Sequence, residues 1–149
     1  MKLVFGCDPN AKELKNILIN HALTLGHKVT DFGSDDPIYA NTVIKVGEAV
    51  ASGQFERGII LCGTGIGASI AANKVKGVYC ALVTDIYQAQ RAQLSNNANV
   101  IAFGAQIIGY EVAKCLLETY LNQTFDQHSR SLPKVKRIEE YELSQFMLI

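Results

Sequence analysis

The chain has 149 residues, of which 48% are hydrophobic and 19% charged, and its formal net charge is zero. That length suits one domain around one sizeable core, and the charge balance argues against nucleic acid or an anionic membrane as partner. No apolar run approaches the ~20 residues of a membrane span, and the opening Met1–Gly6 is too short for a signal peptide and reads as a strand.

In chain order, Leu3–Cys7 is an apolar run closed by the turn Asp8-Pro9-Asn10, with Asn10 a candidate helix cap. Leu14, Ile17, Leu18, Ala22 and Leu25 then recur at helical spacing until Gly26 stops them. His21 lies beside that stripe as a packed helix residue, and His27, after the stop, reads as exposed. Lys28–Phe32 is a second strand, followed by the loop Gly33–Pro37 and a helix from Tyr39 to about Gly53. Arg57–Cys62 is the third strand and Ala68–Lys74 the third helix. Val78–Val83 is the fourth strand, Asp85 caps a helix to about Leu94, and Asn96–Asn99 is a polar turn. Val100–Phe103 is the fifth strand and Gly109–Leu121 the fifth helix. A polar stretch, Asn122–Pro133, leads to a charged last helix, Lys134–Phe146.

Short apolar runs alternating with amphipathic helices are the βαβ pattern, so an α/β fold with a parallel sheet is expected. Residues 1–149 read as a single domain, with about 122–149 a C-terminal tail and helix. That helix has no strand of its own and is expected to pack on a neighbouring subunit. Ligands of such sheets sit outside the carboxyl ends of the strands. Here those ends carry Cys7-Asp8, Cys62-Gly63-Thr64, Asp85 and Phe103-Gly104. The four cysteines lack the C-x-x-C spacing of a zinc or redox site, so Cys7, Cys80 and Cys115 read as free thiols, mostly buried, in a cytoplasmic chain.

Cys62 is different, because it opens the loop Cys62-Gly63-Thr64-Gly65-Ile66-Gly67-Ala68 at the start of a helix. Its third glycine comes one place too early for a dinucleotide fingerprint, and no Gly-Lys-Ser/Thr follows, which disfavours a nucleotide. Loop amides at a helix N-terminus suit a negative charge. A thiolate beside them could attack an acyl carbon, with the amides as oxyanion hole. It could instead take a proton alpha to a carbonyl, with the same amides holding the enediolate. It could also be a buried thiol with no chemistry. The three histidines, His21, His27 and His128, lie away from the strand ends, which favours proton abstraction over acyl transfer.

Four motifs then carry a resemblance: Gly6-Cys7-Asp8, Cys62–Lys74, Asn96-Asn97-Ala98-Asn99-Val100 and Phe103–Gly109. In order, and over nearly the whole chain, they resemble the ribose-5-phosphate isomerase B / galactose-6-phosphate isomerase family. The resemblance implies a Rossmann-like three-layer α/β/α sandwich with a five-stranded parallel sheet. It also implies a homodimer or dimer of dimers, no metal or other cofactor, and aldose–ketose isomerisation of a sugar phosphate through a cis-enediol. Each site would be built by two subunits. By position, Cys62 matches the catalytic base and Thr64 the hydroxyl that assists at the enediolate. Gly63, Gly65, Ile66, Gly67 and Ala68 match the loop amides, Asp8 an acid on the sugar hydroxyls, and Asn96 an amide on the substrate. Arg130 matches a phosphate-binding arginine, and Lys134 stands where a second arginine is usual.

Two departures bear on the substrate. Pro9 and Ser95 occupy positions where the pentose isomerases of the family carry histidine, the second of them assigned to opening the furanose ring. A tetrose 4-phosphate has no free hydroxyl on carbon 4 and so no furanose ring to open. The string Arg91–Ala98, with Tyr39-Ala40-Asn41 upstream, also resembles the erythrulose-4-phosphate isomerase branch of the family. The expected reaction is therefore erythrulose 4-phosphate to erythrose 4-phosphate. The alternatives are ribose 5-phosphate, a galactose 6-phosphate isomerase subunit, or a non-catalytic phosphosugar-binding module.

Overall fold

The five strands sort themselves by burial. β1 (Lys2–Cys7), β3 (Arg57–Cys62) and β5 (Val100–Gly104) are buried almost throughout, as strands covered on both faces must be. β2 (Lys28–Asp31) and β4 (Cys80–Leu82) are largely exposed or half-buried. A computed structural model, which describes residues 1–147, joins them in one parallel sheet of order β2-β1-β3-β5-β4, with the two less buried strands at its edges.

The described residues also form six α-helices: α1 (Lys12–Thr24), α2 (Tyr39–Ala51), α3 (Ile66–Ala72), α4 (Ile86–Leu94), α5 (Tyr110–Leu121) and α6 (Leu132–Phe146). Alternate strand residues face two cores. Leu3, Phe5, Ile59, Leu61, Ile101 and Phe103 pack under α1, α4 and α5, whereas Val4, Ile60, Val100 and Ala102 pack under α2 and α3. This is the Rossmann-like α/β/α sandwich. Each buried aliphatic side chain contributes about 1.5–3 kcal/mol relative to exposure. From β1 the chain crosses toward β2, and from β3 it crosses the other way, so the sheet reverses direction between β1 and β3. That is the place where open α/β sheets take ligands.

Several local expectations are corrected. Asp8, not Asn10, makes the first cap: its Oδ1 accepts from the Asn10 amide at 2.8 Å and starts a short 3-10 turn. α3 begins at Ile66 rather than Ala68, with Gly65 as its N-cap. α6 begins at Leu132, with Pro133 in its first turn, where a missing N–H costs nothing. His27 is half-buried, and its Nδ1 lies 3.1 Å from the N-terminal amine. Of the three thiols expected to be mostly buried, Cys7 is buried, Cys80 half-buried and Cys115 exposed.

The C-terminal helix rests on its own chain at the β4 edge. Val135 is buried, and the Glu142 carboxylate accepts from the Tyr79 hydroxyl at 2.6 Å and from the Gly77 amide at 3.1 Å. The linker before it is tied to the end of α4, where Gln93 accepts from the Phe125 amide at 3.1 Å and donates to the Ala98 carbonyl at 2.7 Å.

Candidate active site

The glycine loop and Asp8 meet where the sheet reverses. The Asp8 amide donates to the Leu61 carbonyl at 2.9 Å, which fixes the end of β1 beside the end of β3. Cys62 is the last residue of β3, 5% exposed, and its sulfur accepts from the Gly65 amide at 3.2 Å. Gly65 turns the chain with φ +79°, and a Cβ there would stand 2.5 Å from Leu82 Cδ1 and 2.9 Å from the Phe103 carbonyl carbon. No other residue combines that conformation with that space. Thr64 is exposed, and its hydroxyl accepts from the Ile66 amide at 3.3 Å. The amides of Gly67 and Ala68, in the first turn of α3, have no intrahelical acceptor.

The two cysteines at neighbouring strand ends differ in kind. Cys7 is fully buried against the α1, α4 and α5 core, and burial pushes its thiol up to about 11. It is held neutral and out of reach. Cys62 faces the other core, and its sulfur is in contact with the Gly65 backbone N–H.

Three side chains at or near these motifs were not singled out from sequence. The Tyr39 hydroxyl presses on Gly67, where a Cβ would come within 1.8 Å of it. The Gln106 amide lies over Gly63, with Oε1 3.2 Å from where a Cβ would stand. Arg91 donates through Nε to the Ser95 hydroxyl at 2.6 Å. Tyr39 and Arg91 fall inside the strings that carried the resemblance, and Gln106 inside the Phe103–Gly109 motif, but nothing in the spacing marked them.

The remaining expected site residues lie elsewhere. A βαβ unit sends each helix back along the sheet, so α4 finishes at the end of the sheet opposite the end of β4. The nine residues of α4 span about 14 Å. Ser95 caps that far end, and Asn96 lines a cleft with Cys80, the first residue of β4, and Tyr79, Asn73 and Ile138. Arg130 and Lys134 are exposed on the linker and first turn of α6, between Gln127 and Ile138, which line clefts at the end of the sheet where β4 and β5 begin. One chain therefore brings Asp8, Cys62, Thr64, Gly63, Gly65, Ile66, Gly67 and Ala68 together. It does not bring Ser95, Asn96, Arg130 or Lys134 to them.

Against known proteins, residues 3–138 match the family model described as Ribose/Galactose Isomerase. The chain belongs to the ribose/galactose isomerase family. It is 42% identical over 146 residues to the D-erythrulose-4-phosphate isomerase of Pectobacterium atrosepticum, covering 95% of each chain. It is 41% identical over 143 residues to the ribose-5-P isomerase B of Listeria innocua, covering 94% of this chain and 96% of that one. The structure of Clostridium thermocellum ribose-5-phosphate isomerase B superposes with a TM-score of 0.91 at 36% identity, covering 97% of this chain and 99% of that one. Membership of the ribose/galactose isomerase family makes this protein a sugar-phosphate isomerase. Within that family, relatives at comparable identity carry tetrose, pentose and galactose names, among them a galactose-6-phosphate isomerase subunit of Clostridium acetobutylicum at 36% identity.

Proposed function

We propose that the protein interconverts erythrulose 4-phosphate and erythrose 4-phosphate, with Cys62 as the base. The observation that carries this reading is Ser95. Its hydroxyl is engaged by Arg91, and it has no titratable proton to offer a sugar ring. An open-chain tetrose phosphate needs none. The relative from Pectobacterium atrosepticum, named for that substrate, supports the same reading.

In this mechanism the Cys62 thiolate takes the proton from carbon 2 of the aldose, or from carbon 1 of the ketose. The electron pair left on carbon forms the double bond of the cis-enediolate, and the negative charge moves to the former carbonyl oxygen. The Gly67 and Ala68 amides hold that oxygen, with Gly63, Gly65 and Ile66 shaping the loop around them. The Thr64 hydroxyl passes a proton between the two oxygens. Cys62 returns its proton to the neighbouring carbon, so nothing is gained or lost overall. Asp8 accepts hydrogen bonds from the sugar hydroxyls.

The other half of the site comes from a second copy. Ser95, Asn96, Arg130 and Lys134 lie at the end of the sheet opposite Cys62, so they serve a partner's loop, and the partner's serve this one. A two-fold homodimer satisfies that exchange, alone or within a dimer of dimers, since an isologous contact gives both loops the same complement. Ile66, Ile70, Ile86 and Tyr87 leave an apolar, exposed surface around the loop that such a contact would cover. Arg130 and Lys134 meet the phosphate, Lys134 as a point charge without the arginine fork.

Ribose 5-phosphate is the second reading, favoured by the similarity to the Listeria innocua enzyme. A coupled assay across tetrose, pentose and hexose phosphates separates the two. The tetrose pair is expected to give the highest kcat/KM; faster turnover of ribose 5-phosphate would overturn the assignment.

A further inference from the structure

The end of α4 carries a cation that the family motifs leave without a role. Arg91 sits one turn before Ser95 on the same helix face, and its Nε donates to the Ser95 hydroxyl at 2.6 Å. It is half-buried, and among the described residues no carboxylate pairs with it. The bond to Ser95 occupies Nε alone. The two terminal nitrogens make no hydrogen bond among the described residues. The guanidinium is thus oriented by a neighbour, with its planar fork unused.

We propose that Arg91 binds the phosphoryl group of the substrate and so sets the length of sugar phosphate the site accepts. The proposal rests on the reading that the α4 end of one copy faces the Cys62 loop of another. A phosphate on carbon 4 lies about 1.5 Å nearer the reacting carbons than one on carbon 5, since one carbon–carbon bond is missing. Its counter-charge must move inward with it. Arg130 and Lys134 are exposed, and no hydrogen bond or ion pair among the described residues holds their side chains. Arg91 stands on the helix that ends just before Ser95 and Asn96, and it is already held. Its ordering entropy is largely spent before the ligand arrives. A guanidinium fork also matches two phosphate oxygens at once. On this view Ser95 acts through Arg91, as a positioning residue.

A cation in the last turn of α4 also favours the helix dipole, which is the structural alternative. Arg91→Gln, Arg91→Lys and Ser95→Ala in the full chain separate the two. Steady-state kinetics would be run on the tetrose 4-phosphates and ribose 5-phosphate, with inorganic phosphate as competitive inhibitor. In Arg91→Gln, KM for the tetrose phosphates is expected to rise about 30-fold while kcat changes less than about threefold, with phosphate inhibition weakened to match. KM for any ribose 5-phosphate turnover should move little. Arg91→Lys keeps the helix-end charge but not the fork, so a KM defect of about tenfold should persist. Ser95→Ala should show a smaller defect of the same kind.

Wild-type KM and wild-type phosphate inhibition in Arg91→Lys would overturn the proposal, as would equal KM losses for both sugar lengths. If the wild type instead prefers ribose 5-phosphate, the tetrose assignment fails by that result alone. Arg91 is then judged on phosphate inhibition: a weakened inhibition constant in Arg91→Gln supports it, and an unchanged one overturns it.

Discussion

The amide of Gly65 donates to the sulfur of Cys62 at 3.2 Å, so the loop that turns the chain away from β3 also supports the group at its end. Cys62→Ala should abolish exchange of solvent deuterium into the carbon next to the carbonyl, while sugar-phosphate binding persists. Cys62→Ser, a far weaker acid with the same reach, should retain less than about 1% of the rate. Full exchange in Cys62→Ala would remove the thiol from the mechanism.

Tyr39 and Gly67 are predicted to be coupled. A methyl group at Gly67 would come within 1.8 Å of the Tyr39 hydroxyl oxygen and 2.7 Å of its ring carbon. Gly67→Ala should cost about 1–3 kcal/mol of stability and lower kcat/KM, since the amides of this turn shift with it. Adding Tyr39→Ala removes the colliding atoms and should recover part of both losses. Thermal melts and kinetics of the two single variants and the double give the coupling. Strictly additive losses would mean that the contact does not position the loop.

Alkali should weaken the fold through its buried thiols and Tyr79. Burial pushes the Cys7 thiol from its ordinary 9.0 to about 11, with Lys15 opposing and Asp31 and Asp8 assisting. Burial alone raises Cys80 to about 12. Tyr79 is raised too, by burial first and by its hydrogen bond to Glu142 second. In each case the folded chain keeps a proton that the unfolded chain releases. Stability is therefore complete below about pH 9 and falls as pH rises through the folded values, by at most about 1.4 kcal/mol per pH unit for each thiol. Denaturant titrations across that range should show the fall, with a shallower slope in Cys7→Ala. A stability that stays level up to about pH 11 would contradict this.

Much of the architecture could be read from residue order. β3 and the Asp85-capped α4 fall where apolar runs and capping chemistry put them, with the Asp85 carboxylate accepting from the Gln88 amide at 2.8 Å. The start of α3 was obscured because Gly65 and Gly67 look like loop, glycine being a poor helix former. Here Gly65 makes the left-handed turn and Gly67 makes room for Tyr39. Cys115 turned outward because Leu116 and Leu117 take the inward face of α5. The order of strands is a property of packing that no local pattern encodes. For the site, the motifs picked out residues but not their separation. That separation is a consequence of α4 running back along the sheet, a step the βαβ pattern already contained. The Arg91–Ser95 bond depends on side-chain geometry and had no sequence signal.

The central claim is that each site joins the Cys62 loop of one copy to the α4 end and tail of another, acting on a tetrose phosphate. Mixing two inactive full-length variants, Cys62→Ala and Asn96→Ala, under conditions where subunits exchange, tests it most directly. A mixed dimer would carry both defects in one site and neither in the other. Equal amounts should therefore restore about a quarter of wild-type turnover of erythrulose 4-phosphate, the share expected for random pairing across a two-fold contact. A mixture no more active than its parents, with exchange verified by mass, would contradict the account.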